Sequence, residues 1–194
     1  EIESKIKDVA GRLGVTSVRG DYELGSNLYS IEVSKSKRQI VRFSDINLQT
    51  KSTLPLLLGI SNSGQVLSAD LTSLPHLLVA GSTGAGKSVF LHGVLSTLIS
   101  RIPPSELQLI LHDGKIVELA QYENIPHLLV PILSDNKSLI DVLEALCEEM
   151  DTRYYKFKQS KALNITSYNA KSDDKLPYIV AVVDEVADVV TINK

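Results

Sequence analysis

The chain has 194 residues, room for one ordinary domain with a small appendage, and 43% of them are hydrophobic, which suits a packed core. A formal net charge of −3 argues against a protein that coats nucleic acid by bulk charge, so any such contact is local. The single cysteine, Cys147, excludes an internal disulfide and a cysteine-based zinc site and fits a reducing compartment. No apolar run approaches the roughly 18 residues of a membrane span, and nothing resembles a signal peptide. The chain begins at Glu1 and its one methionine is Met150, so it reads as a piece of something longer, and any membrane anchor would lie outside these residues.

In chain order, residues 2–13 predict a short amphipathic helix, with Ile2, Ile6, Val9, Ala10 and Leu13 on one face and Gly14 as its stop. Leu28–Val33 and Gln39–Phe43 predict strands joined by the basic turn Ser34-Lys35-Ser36-Lys37-Arg38. Leu54–Ile60 and Gln65–Ala69 predict a hairpin around Ser61-Asn62-Ser63-Gly64. The pattern then changes. Leu77–Ala80, Leu107–His112 and Ile179–Val183 are short apolar segments with helical segments between them, which argues for a parallel sheet flanked by helices. Residues 137–160 predict the longest helix, capped at Asp135 or Asn136, with Leu139, Leu143, Leu146, Met150, Tyr154 and Phe157 as its buried stripe. The boundary falls near residue 50: residues 1–50 read as part of a small α+β domain and 51–194 as the main α/β core.

Residues 81–88 read Gly-Ser-Thr-Gly-Ala-Gly-Lys-Ser, the pattern G-x-x-x-x-G-K-[ST]. It lies between an expected buried strand, His76–Ala80, and an expected helix from Ser88 to Ser100. Gly81, Gly84 and Gly86 let the main chain turn sharply and bring its N–H groups onto phosphate oxygens, with Ser82, Thr83, Ala85 and Val89 completing the contact set. Lys87 places a positive charge near the β and γ phosphates, and the Ser88 hydroxyl suits a Mg²⁺ ion. The expected ligands are therefore ATP and Mg²⁺. The third apolar strand ends in Val183-Asp184-Glu185, acids at the C-terminal end of a strand, where such sheets bind ligands. Asp184 fits the Mg²⁺ shell. Glu185 fits a base that orients and deprotonates water, and an Asp-Glu pair leans toward hydrolysis.

These motifs sit in a wider resemblance. Leu74-Pro75-His76-Leu77-Leu78-Val79-Ala80-Gly81, Ile125-Pro126-His127-Leu128-Leu129, Glu149-Met150-Asp151-Thr152-Arg153-Tyr154, Tyr168-Asn169 and Pro177-Tyr178-Ile179-Val180 leading to Val183-Asp184-Glu185-Val186-Ala187-Asp188 are similar to stretches of the FtsK/SpoIIIE translocase motors, within the FtsK–HerA group. Lys37-Arg38-Gln39-Ile40-Val41 resembles the last strands of that family's smaller domain. The resemblance implies a RecA-like (ASCE) P-loop NTPase fold whose core is incomplete at the C-terminus, because the sensor strand, a trans-acting arginine and a winged helix come later in the family. It implies a cytoplasmic hexameric ring that moves along double-stranded DNA while hydrolysing ATP. An FtsK-like ATPase of a protein secretion system, or a nucleotide-binding assembly module with little turnover, are the rival expectations. It also implies that these residues alone hydrolyse ATP poorly. Asp113-Gly114-Lys115 departs from the family's Asp-Pro-Lys, and Asp113 is either a phosphate or subunit-coupling residue or a satisfied polar one. His76 and His127 read as structural, Lys35, Lys37 and Arg38 as a solvated hairpin tip, and Lys156, Lys158 and Lys161 as a solvated helix face, with phosphate or DNA contact the alternative for these cations.

Overall fold

A computed structural model describes residues 11–15, 18–23, 28–33, 40–74 and 76–191. The chain divides into two compact units, Glu1–Ile46 and Asn47–Lys194.

In the first unit, residues 11–13 are helical and Gly14 turns the chain with a φ of 62°; the rest of the helix expected there lies outside the described residues. Strands β1 (Val18–Glu23) and β2 (Leu28–Val33) pair antiparallel, Val18 opposite Val33 and Glu23 opposite Leu28. This corrects the expected partner of Leu28–Val33. Residues 40–42 are not strand, and Phe43–Asp45 form a 3-10 turn. The physical reason is the connection. The upstream link in sequence is Leu24-Gly25-Ser26-Asn27, a short run of turn formers, whereas the downstream link is longer and carries three cations. Those cations, Lys35, Lys37 and Arg38, lie outside the described residues.

The second unit opens with the expected hairpin, β3 (Pro55–Ile60) against β4 (Val66–Asp70). Gly64, at a φ of 85°, closes its turn, and a register shift between Leu57 and Gly59 bends β3. Helix α1 (Lys87–Arg101) follows the glycine loop and stops before Pro103-Pro104. The Arg101 guanidinium donates to the Leu48 carbonyl at 2.7 Å and ties the helix end to the start of the unit. Strand β5 (Leu107–His112) packs beneath. Leu54 and Leu56 from the hairpin side, Val94, Leu95 and Leu98 of α1, and Leu107, Leu109 and Leu111 of β5 form one buried cluster. The period-2 spacing on β5 and the i, i+3, i+4 spacing on α1 put these leucines face to face.

Helix α2 (Asn136–Ser160) is capped by Asp135, whose carboxylate accepts from the Ser138 N–H at 2.9 Å. Helix α3 (Ile165–Asn169) carries a capping box between Asn164 and Ser167. Strand β6 (Tyr178–Val183) pairs parallel with β5, Leu107 opposite Tyr178 and His112 opposite Val183. Its start is held from two sides. The Arg153 guanidinium donates to the Pro177 carbonyl at 2.7 Å, and the Asn169 amide exchanges two hydrogen bonds with the Leu176 backbone. Along the other edge of β5, residues 127–133 add short parallel bridges through Leu128 and Leu133. His127 is buried with Nε2 on the Ile102 carbonyl at 2.8 Å, which bears out its structural reading. Helix α4 (Val186–Thr191) follows β6. Among the described residues no helix is long and apolar enough to cross a membrane.

Two expectations fail on one side of this sheet. Residues 76–80 form no strand, and Leu78 is 80% exposed. The expected buried stripe of α2 is buried at Leu139, yet Leu143, Met150 and Tyr154 are exposed. The cause is shared. Beyond the free edge of β6 lies a groove of about 1130 Å³, with Leu77–Val79 on one wall and Leu143, Met150 and Tyr154 on another. A segment facing open space has no neighbour to complete a backbone ladder, and the side chains beside it have nothing to pack against.

Candidate active site

The glycine loop is built as its spacing requires. Gly84 (φ 78°) and Gly86 (φ 100°) hold conformations that side-chain-bearing residues rarely adopt, and a Cβ on Gly81 would meet the Ala85 Cβ at 3.1 Å. The Ala85 N–H donates to the Ser82 carbonyl and the Phe90 N–H to the Gly86 carbonyl, which converts turn into helix at Lys87. No side chain caps the N-terminus of α1. Its first N–H groups and the positive dipole end therefore point out of the loop, an arrangement that suits phosphate. Ser82, Thr83, Gly84 and Ala85 are exposed along the turn, Ser88 is half-buried in the first turn of the helix, and Val89 is 75% exposed.

Across the groove the acid pair closes the site. The Asp184 N–H donates to the His112 carbonyl at 3.2 Å, one step past the end of β6. Lys87 Nζ stands 3.6 Å from Glu185 Oε2, both side chains about one-third exposed (32% and 39%). An ion pair this exposed contributes about 0–1 kcal/mol, so Lys87 can exchange the carboxylate for phosphate oxygens at little cost. Gly81, Lys87, Asp184 and Glu185 line the same groove. Residues about half the sequence apart thus line one groove.

Asp113 behaves differently. It is fully buried, and its carboxylate accepts from the backbone N–H groups of Lys115 (3.1 Å), Val117 (2.9 Å) and Leu119 (2.8 Å). Burial pushes the carboxyl up, but the N–H donors of Leu119, Lys115, Val117 and Ile116 outweigh it and hold the group below its ordinary value. Asp113 therefore organises the turn after β5, where Ile116 sits at a φ of 53°, a costly conformation for a β-branched residue. The turn carries Lys115 and Gly114 to a second cavity of about 560 Å³, and Asp184 and Glu185 are the lining residues common to both cavities.

That second cavity exposes a residue that the motif reading passes over. His112 also lines it, is 2% exposed, and has no partner for Nδ1 or Nε2 among the described residues. A buried polar group without a partner costs about 1–3 kcal/mol. The signal was present as a ring of mixed polarity ending the apolar run Leu107–Leu111, on the face shared with Gln108 and Ile110.

Among the described residues no cluster of three or more His, Cys, Asp or Glu side chains could hold a metal by itself. The oxygen donors expected for Mg²⁺ are the Asp184 carboxylate, which lines the groove, and the Ser88 hydroxyl, half-buried in the first turn of α1. So small a set fits Mg²⁺, which keeps several waters and takes its remaining ligands from nucleotide phosphates.

The FtsK/SpoIIIE family profile matches residues 46–192. DNA translocase FtsK of Leptospira interrogans is 39% identical over 182 residues, covering 87% of this chain and 19% of that protein. DNA translocase FtsK of Helicobacter pylori (strain J99) is 37% identical over 191 residues, covering 93% of this chain and 23% of that protein. The chain thus spans about a fifth of the curated relatives it matches. Among solved structures, the pCW3 conjugation coupling protein TcpA with ATPγS superposes with a TM-score of 0.65 at 22% identity, over 96% of this chain and 51% of that one. The cytoplasmic domain of the Thermomonospora curvata type VII secretion ATPase EccC superposes with a TM-score of 0.61 at 19% identity, over 79% of this chain and 21% of that one. The fold is that of the P-loop ATPases, an α/β core with a parallel sheet and an antiparallel strand pair before it.

Proposed function

The chain belongs to the FtsK/SpoIIIE family, and from that premise we propose that it is the nucleotide-binding core of a motor that couples ATP hydrolysis to movement along double-stranded DNA. The nucleotide part of this reading is carried by Lys87 facing Glu185 at 3.6 Å across a groove that begins at the glycine loop, and the DNA part is supported by the similarity to the DNA translocases FtsK. In this reading the main-chain N–H groups between Ser82 and Val89, apart from the Ala85 N–H already given to the Ser82 carbonyl, hold the polyphosphate, and Lys87 trades Glu185 for the β and γ phosphates. Ser88 and Asp184 hold Mg²⁺, which when bound neutralises charge on the phosphates. Released from Lys87, Glu185 accepts a proton from the attacking water as the water oxygen bonds to the γ phosphorus and the bond to the β-phosphate oxygen breaks.

The whole-protein properties follow the same premise. The motor works as a hexameric ring on the cytoplasmic side, with any membrane anchor outside these residues. The smaller domain ends near the boundary between the two compact units, at Ile46 rather than at residue 50, and the ATPase core follows from Asn47. In this reading these residues alone hydrolyse ATP weakly, and the open groove beside β6 supports that expectation.

The test is ATP turnover by the full-length protein. Duplex DNA is expected to stimulate it, with weaker stimulation as salt rises; Lys87→Ala abolishes it. Stimulation by a secreted peptide and not by DNA would replace the DNA motor with a protein-secretion ATPase, and tight ATP binding without turnover would leave an assembly module.

A further inference from the structure

We propose that His112 is a positioning residue for Asp184, an inference that rests on the nucleotide-site reading above. The two are already tied at the backbone by the 3.2 Å bond from the Asp184 N–H to the His112 carbonyl. Both line the cavity of about 560 Å³ behind the acid pair. The imidazole is buried with neither nitrogen partnered among the described residues, although a neutral ring carries one N–H that needs an acceptor.

The carboxylates lining that cavity are Asp135, Asp184 and Glu185. Asp135 is taken by the Ser138 N–H and hydroxyl, and Glu185 leans on Lys87. Asp184 is the remaining carboxylate of the three. Gly114 lies beside the ring edge, with the place of a Cβ at ordinary contact distance, 3.9 Å, from His112 Cε1. When nucleotide fills the groove, the imidazole turns toward the cavity and its N–H donates to Asp184, fixing that carboxylate toward the Mg²⁺ it is assigned to hold. Hydrogen bonds that orient ligating groups are typically worth about 10–100-fold in metal affinity or activity.

The experiment uses the full-length protein carrying His112→Phe, which keeps ring volume and removes both nitrogens. Thermal unfolding, binding of a fluorescent non-hydrolysable ATP analogue across a Mg²⁺ titration, and kcat and KM for ATP are measured together. The expected result is an unfolding temperature equal to or above wild type, because a buried group without a partner has been removed. Half-saturating Mg²⁺ rises about tenfold and kcat falls about tenfold at unchanged KM, while analogue binding in EDTA is unaltered. His112→Asn, which restores a donor, recovers most of the Mg²⁺ dependence. A His112→Phe protein with wild-type Mg²⁺ dependence and kcat overturns the proposal, as does one that is merely less stable with activity tracking the folded fraction. Wild-type protein whose analogue binding does not depend on Lys87 refutes the nucleotide site itself, and this proposal with it.

Discussion

The two sides of the P-loop unit are built from the same kinds of residue and end up in opposite states. Between the hairpin, α1 and one face of β5, leucines spaced for strand and helix close into a buried cluster, with Leu95, Leu107 and Leu109 at 0% exposure. Between residues 76–80, β6 and α2, leucines and aromatics with equally regular spacing stand open, Leu78 at 80%. Hydrophobic periodicity sets which face a residue occupies; burial also needs a second surface at the right distance. The Lys87–Glu185 ion pair, the proposed catalytic pair, lies at the rim of the open side, with Lys87 supplied by the closed side's helix and Glu185 by the turn after the strand next to the groove.

Four substitutions would break or sharpen that contrast. The largest effect is expected in the closed cluster: Leu95→Ala should destabilise by about 2–5 kcal/mol, the range for a fully buried leucine, read as a lower denaturation midpoint. Asp113→Asn should cost about 1–3 kcal/mol, because one amide oxygen cannot replace a carboxylate facing several N–H donors. Its pH signature has a definite sign. The folded pKa lies below the unfolded value, so the stabilisation is present above an unfolded pKa of about 3.9 and is lost as pH falls through the lower folded value. Unfolding measured from neutral pH into acid should be less steep in the variant. Asp135→Ala, which removes the α2 cap, should cost about 1 kcal/mol and show as a small drop in melting temperature. Leu78→Ala should change stability by about 0.5 kcal/mol or less. A loss as large as that of Leu95→Ala would mean that the groove is closed in solution.

How far the sequence could be read follows the same division. The hairpin, β2, β5, β6 and the long helix with its Asp135 cap were legible, because local turn chemistry and hydrophobic spacing determine them. The pairing of β2 with β1 was not. Val-Arg-Gly-Asp-Tyr-Glu carries too little apolar alternation to announce a strand, and only the choice between two hairpin links decides its partner. The open state of residues 76–80 depended on a neighbour that no local pattern encodes. Asp113 was visible as an acid at a strand end, but its engagement by its own turn came from a backbone path through Ile116 at positive φ that composition does not suggest. His112 was hidden by position, since a polar residue at the end of an apolar strand reads as the strand's edge.

In the proposed site the turn at residues 81–88 grips the phosphates of ATP and Lys87 exchanges Glu185 for them. Calorimetric titration of the full-length protein with a non-hydrolysable ATP analogue and Mg²⁺ tests it most directly. Lys87→Ala should weaken binding by about 10–100-fold, the worth of charge-assisted hydrogen bonds, while Glu185→Gln should bind at least as tightly as wild type because the competing carboxylate is gone. Unchanged affinity in Lys87→Ala, or a loss in Glu185→Gln as large as that in Lys87→Ala, would contradict it.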